Sequence, residues 1–96
     1  MNTFYFTRVK DTANCVIQLY KIGNIVFSFF KLNTTNEIHK IIIPEEYRPK
    51  TKVAFLLHST TAINTVTILV TTDGEINVEA TSYKELHLGF NIWKTN

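Results

Sequence analysis

Apolar and polar residues alternate along most of this chain with a period of two. In residues 15–20, Cys15, Ile17 and Leu19 share one side of an extended segment, and their neighbours fall on the other side. Successive side chains of a β-strand point to opposite faces, so this period indicates strands. The sequence nowhere shows the roughly 3.6-residue period of an amphipathic helix. The pattern therefore predicts an all-β chain.

About eight short strands follow from this alternation, at the spacing of roughly 8–12 residues that is typical of antiparallel sandwiches and barrels. They cover residues 3–7, 15–20, 25–32, 37–43, 51–59, 65–71, 75–80 and 85–93. The strands are short and several carry apolar residues on both faces, which favours two packed sheets over a closed barrel. We therefore predict a jelly-roll-like antiparallel two-sheet sandwich, formed as one domain by residues 1–96.

Two dipeptides mark tight turns between strands. Gly23 and Asn24 fit the two central positions of a hairpin turn that requires positive φ, and Asp73 with Gly74 fits a second one. The side chain of Asp73 is expected to bond its own backbone in that turn. Both dipeptides predict antiparallel pairing of the strands that flank them.

The segment from Pro44 to Pro49 predicts a sharp corner. Pro44 fixes φ and removes a backbone donor, so the strand before it must end there. Pro49 pushes the residue before it out of the helical region. Between the two prolines, we expect Tyr47 to cap the core. We expect Arg48 to donate to carbonyls of the corner or to a carboxylate such as that of Glu45.

The alternation along the last predicted strand indicates which of its side chains face the core and which face outward. Its apolar members are expected to face the core: Leu86, Leu88, Phe90 and Ile92. Its other members are expected to face outward: Glu85, His87, Gly89, Asn91 and Trp93.

Trp93 is the single Trp of the chain and suggests a binding surface. An exposed aromatic ring can stack on the apolar face of a sugar while neighbouring polar groups bond its hydroxyls. Asn91, His87 and Tyr83 complete the predicted carbohydrate-binding site. The alternative is that Trp93 packs in a subunit interface or against the N-terminal strand. Should the site lie elsewhere, the next candidates stand at the ends of the sandwich: His58, Asn64 and Asp73.

The aromatic content adds an expectation about assembly. The 96 residues include 7 Phe and 4 Tyr, which is more than a core of this size readily buries. Leu69 also falls on a strand face that is otherwise rich in Thr. We expect some of these apolar side chains to lie between subunits, which predicts a homo-oligomer.

Charge and cysteine content exclude several classes of protein. The formal net charge is +2, without a basic stripe or a recognition motif, so we expect no nucleic-acid partner. Cys15 stands alone in an apolar strand, which predicts a buried, inert thiol. No apolar run reaches the ~18–20 residues of a membrane span, and no signal-peptide pattern opens the chain. We expect a protein that is made in a cytoplasm and does not insert into membranes.

The residues carry no arrangement typical of catalysis or metal binding. The three histidines lie on different predicted strands without metal-ligand spacing: His39, His58 and His87. Glu45 and Glu46 are adjacent in an extended corner, so their carboxyl groups point apart and make a poor acid–base pair. No serine has a nucleophile-elbow context, and no Gly-rich phosphate loop exists. We expect no enzymatic activity, no metal and no cofactor.

Three motifs occur in a set order along the chain. Gly23-Asn24 precedes an apolar strand, residues 43–49 read Ile-Pro-Glu-Glu-Tyr-Arg-Pro, and residues 73–78 read Asp-Gly-Glu-Ile-Asn-Val. In this order they resemble the head domain of a bacteriophage tail-tip receptor-binding protein, from a tail fibre or a baseplate. Two features depart from that family. Glu46 stands where a Gly is expected before the Tyr, and the last strand lacks the expected Thr-Tyr ending.

The resemblance implies a function and a set of partners. Such heads are trimeric β-sandwiches that bind a host-surface carbohydrate, often near subunit boundaries. It implies a virion protein of the phage tail tip, made in the host cytoplasm. Its partners would be further copies in a homotrimer, a host cell-wall saccharide and other phage tail proteins. We predict adhesion without chemistry, by weak saccharide contacts multiplied over many copies.

Two alternatives remain open at this stage. One is a structural baseplate or fibre domain that docks to another tail protein without touching the host. The other is a cellular carbohydrate-binding module unrelated to phages.

Overall fold

The computed structural model of the chain describes residues 4–11, 15–33, 41–59, 65–79 and 86–96. These residues form strands and one short 3-10 helix, with no α-helix among them. The strands are β1 (Phe4–Asp11), β2 (Cys15–Ile22), β3 (Ile25–Leu32), β4 (Val53–Ser59), β5 (Thr65–Val70), β6 (Ile76–Glu79) and β7 (His87–Lys94). The 3-10 helix is Glu45–Tyr47. The predicted all-β, antiparallel class is therefore confirmed.

The described strands belong to one antiparallel sheet in the order β1-β2-β3-β7-β4-β5-β6, and this sheet curls into a half-barrel. Strands β1 to β3 form one meander and β4 to β6 form a second. Strand β7 lies between them and hydrogen-bonds to both β3 and β4. The predicted division into two sheets is not found among the described strands, because β7 continues the first meander into the second.

Both predicted hairpin turns are present. Ile22 pairs with Ile25 across the first turn, where Gly23 has a φ of 60°. At the second turn Gly74 has a φ of 85°, and its amide donates to the Thr71 carbonyl at 2.9 Å. Positive φ is unstrained only for residues without a Cβ, so glycine at these two positions stabilises the turns.

Strand β1 forms one edge of the sheet and is irregular. Its register against β2 shifts between Arg8 and Lys10, which marks a β-bulge. Beside the bulge, Arg8 donates to the carboxylate of Asp11 at 2.8 Å, and both side chains are exposed. A bulge and charged side chains make an edge strand a poor template for pairing with another chain.

The concave side of the half-barrel holds the core. Alternation places buried residues on this side in β2, β3 and β5, and in β2 they are Cys15, Ile17 and Leu19, which the sequence predicted to share one face. Cys15 is among them, which confirms that its thiol is buried. Phe30 lies at the centre, with its ring edge-on to Phe55 at 5.2 Å between centroids. The buried apolar residues are Cys15, Ile17, Leu19, Val26, Phe30, Leu32, Ile43, Tyr47, Leu57, Val66, Ile68, Val70, Ile76 and Trp93.

The predicted orientation of β7 is wrong. Trp93 is only 4% exposed and His87 is also buried, whereas both were expected to face outward. Phe90 and Ile92 were expected to face the core, yet they are 78% and 57% exposed. Side chains alternate along a strand, so a change of phase by one residue inverts every one of them.

The cause of this inversion is the fit between β7 and β4. A Cβ at Gly89 would stand 2.5 Å from Cδ2 of Leu57 and 3.0 Å from the Leu56 carbonyl oxygen. Leu57 can therefore occupy the inner face only where β7 presents no side chain. With Gly89 on the inner face, Phe90 must point outward. The alternative phase would place the Phe90 ring where Leu57 packs.

Several predictions fall on residues that the structure does not describe. They concern Tyr83, Asn64, His39, Glu85, residues 37–40 of the predicted fourth strand and residue 80 of the seventh.

The contact at Gly89 gives a stability prediction. Gly89→Ala should lower the free energy of unfolding by about 1–3 kcal/mol, because the added methyl group overpacks against Leu57. Urea unfolding of the single variants and of Gly89→Ala combined with Leu57→Ala measures the coupling. We expect the double variant to lose at least about 0.5 kcal/mol less than the two single losses together. Strictly additive losses would show that the two residues do not compete for space.

Candidate functional site

Three of the predicted site residues share one face of β7, as expected, but it is the inner face. His87 and Trp93 are buried there, and Asn91 is half-buried. The backbone carbonyl of Asn91 accepts a hydrogen bond from the Ser28 hydroxyl at 3.0 Å. Tyr83, the fourth member, lies outside the described residues. The inner face of β7 therefore contributes to the core.

Trp93 packs within its own chain. Its indole Nε1–H donates to the backbone carbonyl of Tyr47 at 2.7 Å. Its ring stacks on Phe55, with 6.4 Å between centroids and 28° between planes. A buried Trp usually finds a partner for its N–H, and here the corner supplies one. An indole held in this way presents no free face to a sugar ring.

The predicted corner is present and is ordered by its own backbone. The Tyr47 amide donates to the Pro44 carbonyl at 2.9 Å, and the Arg48 amide donates to the Glu45 carbonyl at 3.2 Å. The side chain of Tyr47 is buried, which confirms that it caps the core. Nε of Arg48 donates to the Ile43 carbonyl at 2.8 Å, which confirms its predicted bond to the corner backbone.

Burial also changes the acidity of Tyr47. Loss of hydration disfavours the charged phenolate and raises the pKa of the Tyr47 hydroxyl above its ordinary value of 10.0. The carboxylate of Glu46 and the hydroxyl of Tyr5 raise it further. These three side chains therefore lie within electrostatic reach of one another at this end of the domain.

Beside the corner lies an open polar cleft of about 580 Å³, here named the corner cleft. It is lined by Lys21, Glu45, Glu46, Arg48, Pro49, Thr72, Asp73, Thr95 and Asn96. These residues come from the end of β2, the corner, the turn between β5 and β6, and the segment after β7. The cleft therefore forms only when both meanders and β7 are in place.

Hydrogen bonds fix the walls of the corner cleft. Nζ of Lys21 donates to the Glu46 carbonyl at 2.6 Å, which ties β2 to the corner. The Thr95 amide donates to the Asn24 carbonyl at 2.8 Å, which ties the segment after β7 to the first hairpin. Backbone partners of this kind hold the polar side chains in position without a ligand.

Gly74 determines the position of Arg48 in the cleft. A Cβ at residue 74 would lie 2.6 Å from Nε of Arg48 and 2.7 Å from the Ile43 carbonyl oxygen. The Arg48 side chain can cross the turn only because glycine is there. The same turn brings the neighbouring Asp73 into the cleft lining together with Arg48.

The cleft offers both hydrogen-bond donors and acceptors. Glu45, Glu46 and Asp73 supply carboxylates, which only accept when ionised, and Lys21 and Arg48 supply N–H groups, which only donate. The two signs of charge nearly balance. A neutral ligand rich in hydroxyl groups suits such a lining, since each hydroxyl both donates and accepts.

A second hollow of about 410 Å³ adjoins the corner cleft and adds an aromatic surface. It is lined by Tyr5, Lys21, Glu46 and Tyr47, so it shares Lys21 and Glu46 with the cleft. Tyr5 is 54% exposed. Its ring is thus available for stacking next to a set of polar groups, the combination that was expected at Trp93.

Sequence reasoning found one member of this site and missed the others. Asp73 was named as a fallback candidate, and it lines the cleft. His58 is exposed on β4 but does not line the cleft. Lys21 and Tyr5 carry no local signal, because each is one polar or aromatic residue at a strand position. Only the sheet register brings them together, since Tyr5 pairs with Lys21 across β1 and β2.

Three features that could indicate a function are missing: a metal-binding cluster and a membrane-spanning helix among the described residues, and a match to a known protein. The described residues contain no group of three or more His, Cys, Asp or Glu side chains placed to hold a metal ion. Over the same residues, no helix has the length and apolar character needed to cross a membrane. Neither a protein-family model nor a curated protein matches this chain.

The bond between Trp93 and the corner gives a prediction. Trp93→Phe keeps a ring near Phe55 but removes the N–H that satisfies the Tyr47 carbonyl. We expect the free energy of unfolding, measured with urea, to fall by about 1–3 kcal/mol. Trp93→Ala, which also removes the ring, should cost about 3–5 kcal/mol. A Trp93→Phe variant as stable as the wild type would show that the bond contributes nothing net.

The raised pKa of Tyr47 predicts a loss of stability at alkaline pH. The folded-state pKa exceeds the unfolded value of about 10. The stabilisation is therefore complete below that pH and is lost as pH rises through the folded-state pKa. Urea unfolding of the wild type and of Tyr47→Phe at several alkaline pH values tests this. Above pH ~10 the wild type should lose stability more steeply than Tyr47→Phe. Parallel curves would contradict it.

Proposed function

We propose that this chain is the receptor-binding head of a phage tail tip, and that it holds a neutral saccharide of the host cell wall in the corner cleft. The observation that carries the proposal is the cleft itself, an open hollow with balanced donors and acceptors next to the exposed ring of Tyr5. The head acts as a homotrimer in the virion and works by adhesion without chemistry. A two-sheet, jelly-roll-like sandwich stays a prediction for the complete domain.

The chemistry of the lining supports a sugar as the ligand. One face of a pyranose ring is apolar and can stack on Tyr5, as sugars do on exposed aromatic side chains. The hydroxyls at the ring edge then meet Glu46 and Lys21, which line both hollows. Asp73 and Arg48 line the corner cleft but not the hollow that contains Tyr5, so they would meet a second sugar unit of an oligosaccharide.

The motifs that carry the family resemblance contribute directly to this cleft. The motif at residues 43–49 provides Glu45, Glu46 and Arg48, and the motif at residues 73–78 provides Asp73. The backbone conformation of the corner and of the turn explains why the prolines and Gly74 are present. It does not explain why charged side chains of both signs lie at the open end of the domain. Their convergence supports a binding function for the two motifs.

Open clefts of this kind give weak binding, and weak binding suits a multivalent tip. Each head contributes a small free energy, and several heads engaged together convert it into firm attachment. The cleft has no enclosed apolar pocket in which a small ligand is fully desolvated. Attachment to a repeating polymer such as a wall polysaccharide fits both properties.

A second candidate function is a structural one. In it, the chain docks to another tail protein and never touches the host. The observation that favours it is the exposed apolar surface of β7, where Phe90 and Ile92 point away from the core. This candidate would be selected if the wild type bound none of the glycans tested and was nevertheless present in assembled tails.

The corner cleft can be tested by glycan-array binding and by titration calorimetry with the best array ligand. Tyr5→Ala should weaken binding about tenfold per site, since it removes one stacking contact. Asp73→Asn should weaken it similarly, because it removes an acceptor while an Asn still suits the turn. Both side chains are exposed, so the melting temperature should stay close to that of the wild type.

The matched control is Glu75→Gln, which neutralises an exposed carboxylate just beyond the turn and outside the cleft lining. It should bind like the wild type. If Tyr5→Ala and Asp73→Asn also bind like the wild type, the saccharide does not occupy the corner cleft. If the wild type binds no glycan, the adhesion function itself is wrong.

A further inference from the structure

The outer side of the first meander and β7 carries apolar side chains in register across four strands. Phe6 pairs with Tyr20, Tyr20 with Phe27, and Phe27 with Ile92, which makes one continuous row. Cross-strand partners project on the same face and lie side by side. The rings of Phe6 and Tyr20 are 4.8 Å apart between centroids, so the row is packed.

A second row lies directly beside the first. Phe29 pairs with Phe90, and their ring centroids are 5.0 Å apart. Ile22 continues the apolar surface at the hairpin end. This surface is here named the outer face, and it consists of Phe6, Tyr20, Ile22, Phe27, Phe29, Phe90 and Ile92.

The outer face is unusually apolar for a surface in contact with water. Phe6, Phe27 and Phe90 each leave more than 40% of their area exposed. At ~200 Å² for a Phe side chain, these three alone expose about 300 Å². That already matches the largest apolar patch of a typical monomer, about 300–600 Å², before Ile22 and Ile92 are counted. The largest apolar patch of a monomer is often functional, and patches that exceed this range mark interaction sites.

Charged residues stand only at the border of the two rows. Arg8 ends the second row at the sheet edge, where it is paired with Asp11 at 2.8 Å. Lys31 lies one row beyond Phe29, and Lys94 stands opposite Ile25 at the other end of β3. The centre offers no charge to attract an acidic or a basic partner. Its complement is another neutral apolar surface.

We propose that copies of this chain associate through the outer face, with the three outer faces of the homotrimer turned towards its three-fold axis. This inference rests on the homo-oligomer of the proposed function and names the surface that forms it. The occupant is a second copy, because each copy presents a neutral aromatic surface of the same size and composition as the one it must cover.

The dimensions of the outer face fit a small interface. Strands β1, β2, β3 and β7 have 8 residues each. At ~4.8 Å between strands and ~3.3 Å per residue, they outline roughly 19 by 26 Å, or about 500 Å², including the bordering rows of Lys31 and Lys94. This is less than the ~800 Å² per partner of a standard interface and corresponds to the small, weak end of the range.

The interface also accounts for the inverted phase of β7. The inner face needs Gly89 for Leu57 and Trp93 for the corner, so the outer face must carry Phe90 and Ile92. In a single chain these two side chains remain in water. Between copies they are buried, and both faces of β7 then lie in apolar surroundings.

Sedimentation velocity and multi-angle light scattering of the whole chain at micromolar concentration test this. The wild type should sediment as an oligomer. Phe90→Lys should weaken association at least tenfold, because it buries an unpaired charge within the contact. Ile92→Thr retains a β-branched side chain suited to a strand and should weaken association several-fold. Circular dichroism should show both variants folded, since both positions are exposed in the single chain.

The matched control is Ile42→Lys. Ile42 is 48% exposed, as an apolar residue outside the outer face, so its replacement should leave the oligomer unchanged. An oligomer that survives both Phe90→Lys and Ile92→Thr would overturn the outer face while leaving the homo-oligomer intact. A wild type that is monomeric at these concentrations would overturn both. The glycan test of the corner cleft is independent of either outcome.

Discussion

The hydrogen bond from the Trp93 indole to the Tyr47 carbonyl connects parts of the fold that no strand pairing connects. Among the described residues, β7 pairs with β4 only where His58 meets Leu88 and Ser59 meets His87. Towards its other end β7 is bonded to the corner instead, through Trp93 and through the Lys50 amide, which donates to the Lys94 carbonyl at 2.7 Å. The corner thus completes the half-barrel, and the orientation of β7, the burial of Tyr47 and the walls of the corner cleft all depend on it.

Local patterns predicted much of the fold because the physics there is local. The hairpins at Gly23 and Gly74 follow from turns that need positive φ, and alternation assigned the inner face of β2 correctly. In β7 the same rule failed, because Phe90 and Ile92 of its alternating apolar face are exposed and Trp93 of the opposite face is buried. The choice was made by the room that Leu57 needs at Gly89 and by the partner that Trp93 finds at the corner. Both contacts join residues far apart in the chain, so no window of sequence contains them. The pairing that joins the described strands through β7 is equally distant in sequence.

The site was harder to predict than the fold because its parts are individually ordinary. Asp73 is a typical turn residue, Glu45 and Glu46 are typical of a solvated corner, and Lys21 is typical of the end of a strand. They form a site only because the fold brings them together at one end of the half-barrel. The corner cleft and the outer face also use opposite chemistry on one small domain, balanced polar groups at its end and aromatic groups on its side. The two surfaces share no residue, so a ligand in the corner cleft would leave the outer face uncovered.

The position of β7 has a consequence for biosynthesis. The strand that joins the two meanders follows the other six described strands in the chain, so a ribosome synthesises both meanders before their connector. Until β7 inserts, the facing edges of β3 and β4 are open, and nascent domains with unpaired strands are prone to misassembly. Closing the sheet late, through contacts distant in sequence, also makes folding slow. The same gap can accept β7 of a second chain, so strand exchange between copies is the misassembly that this topology favours.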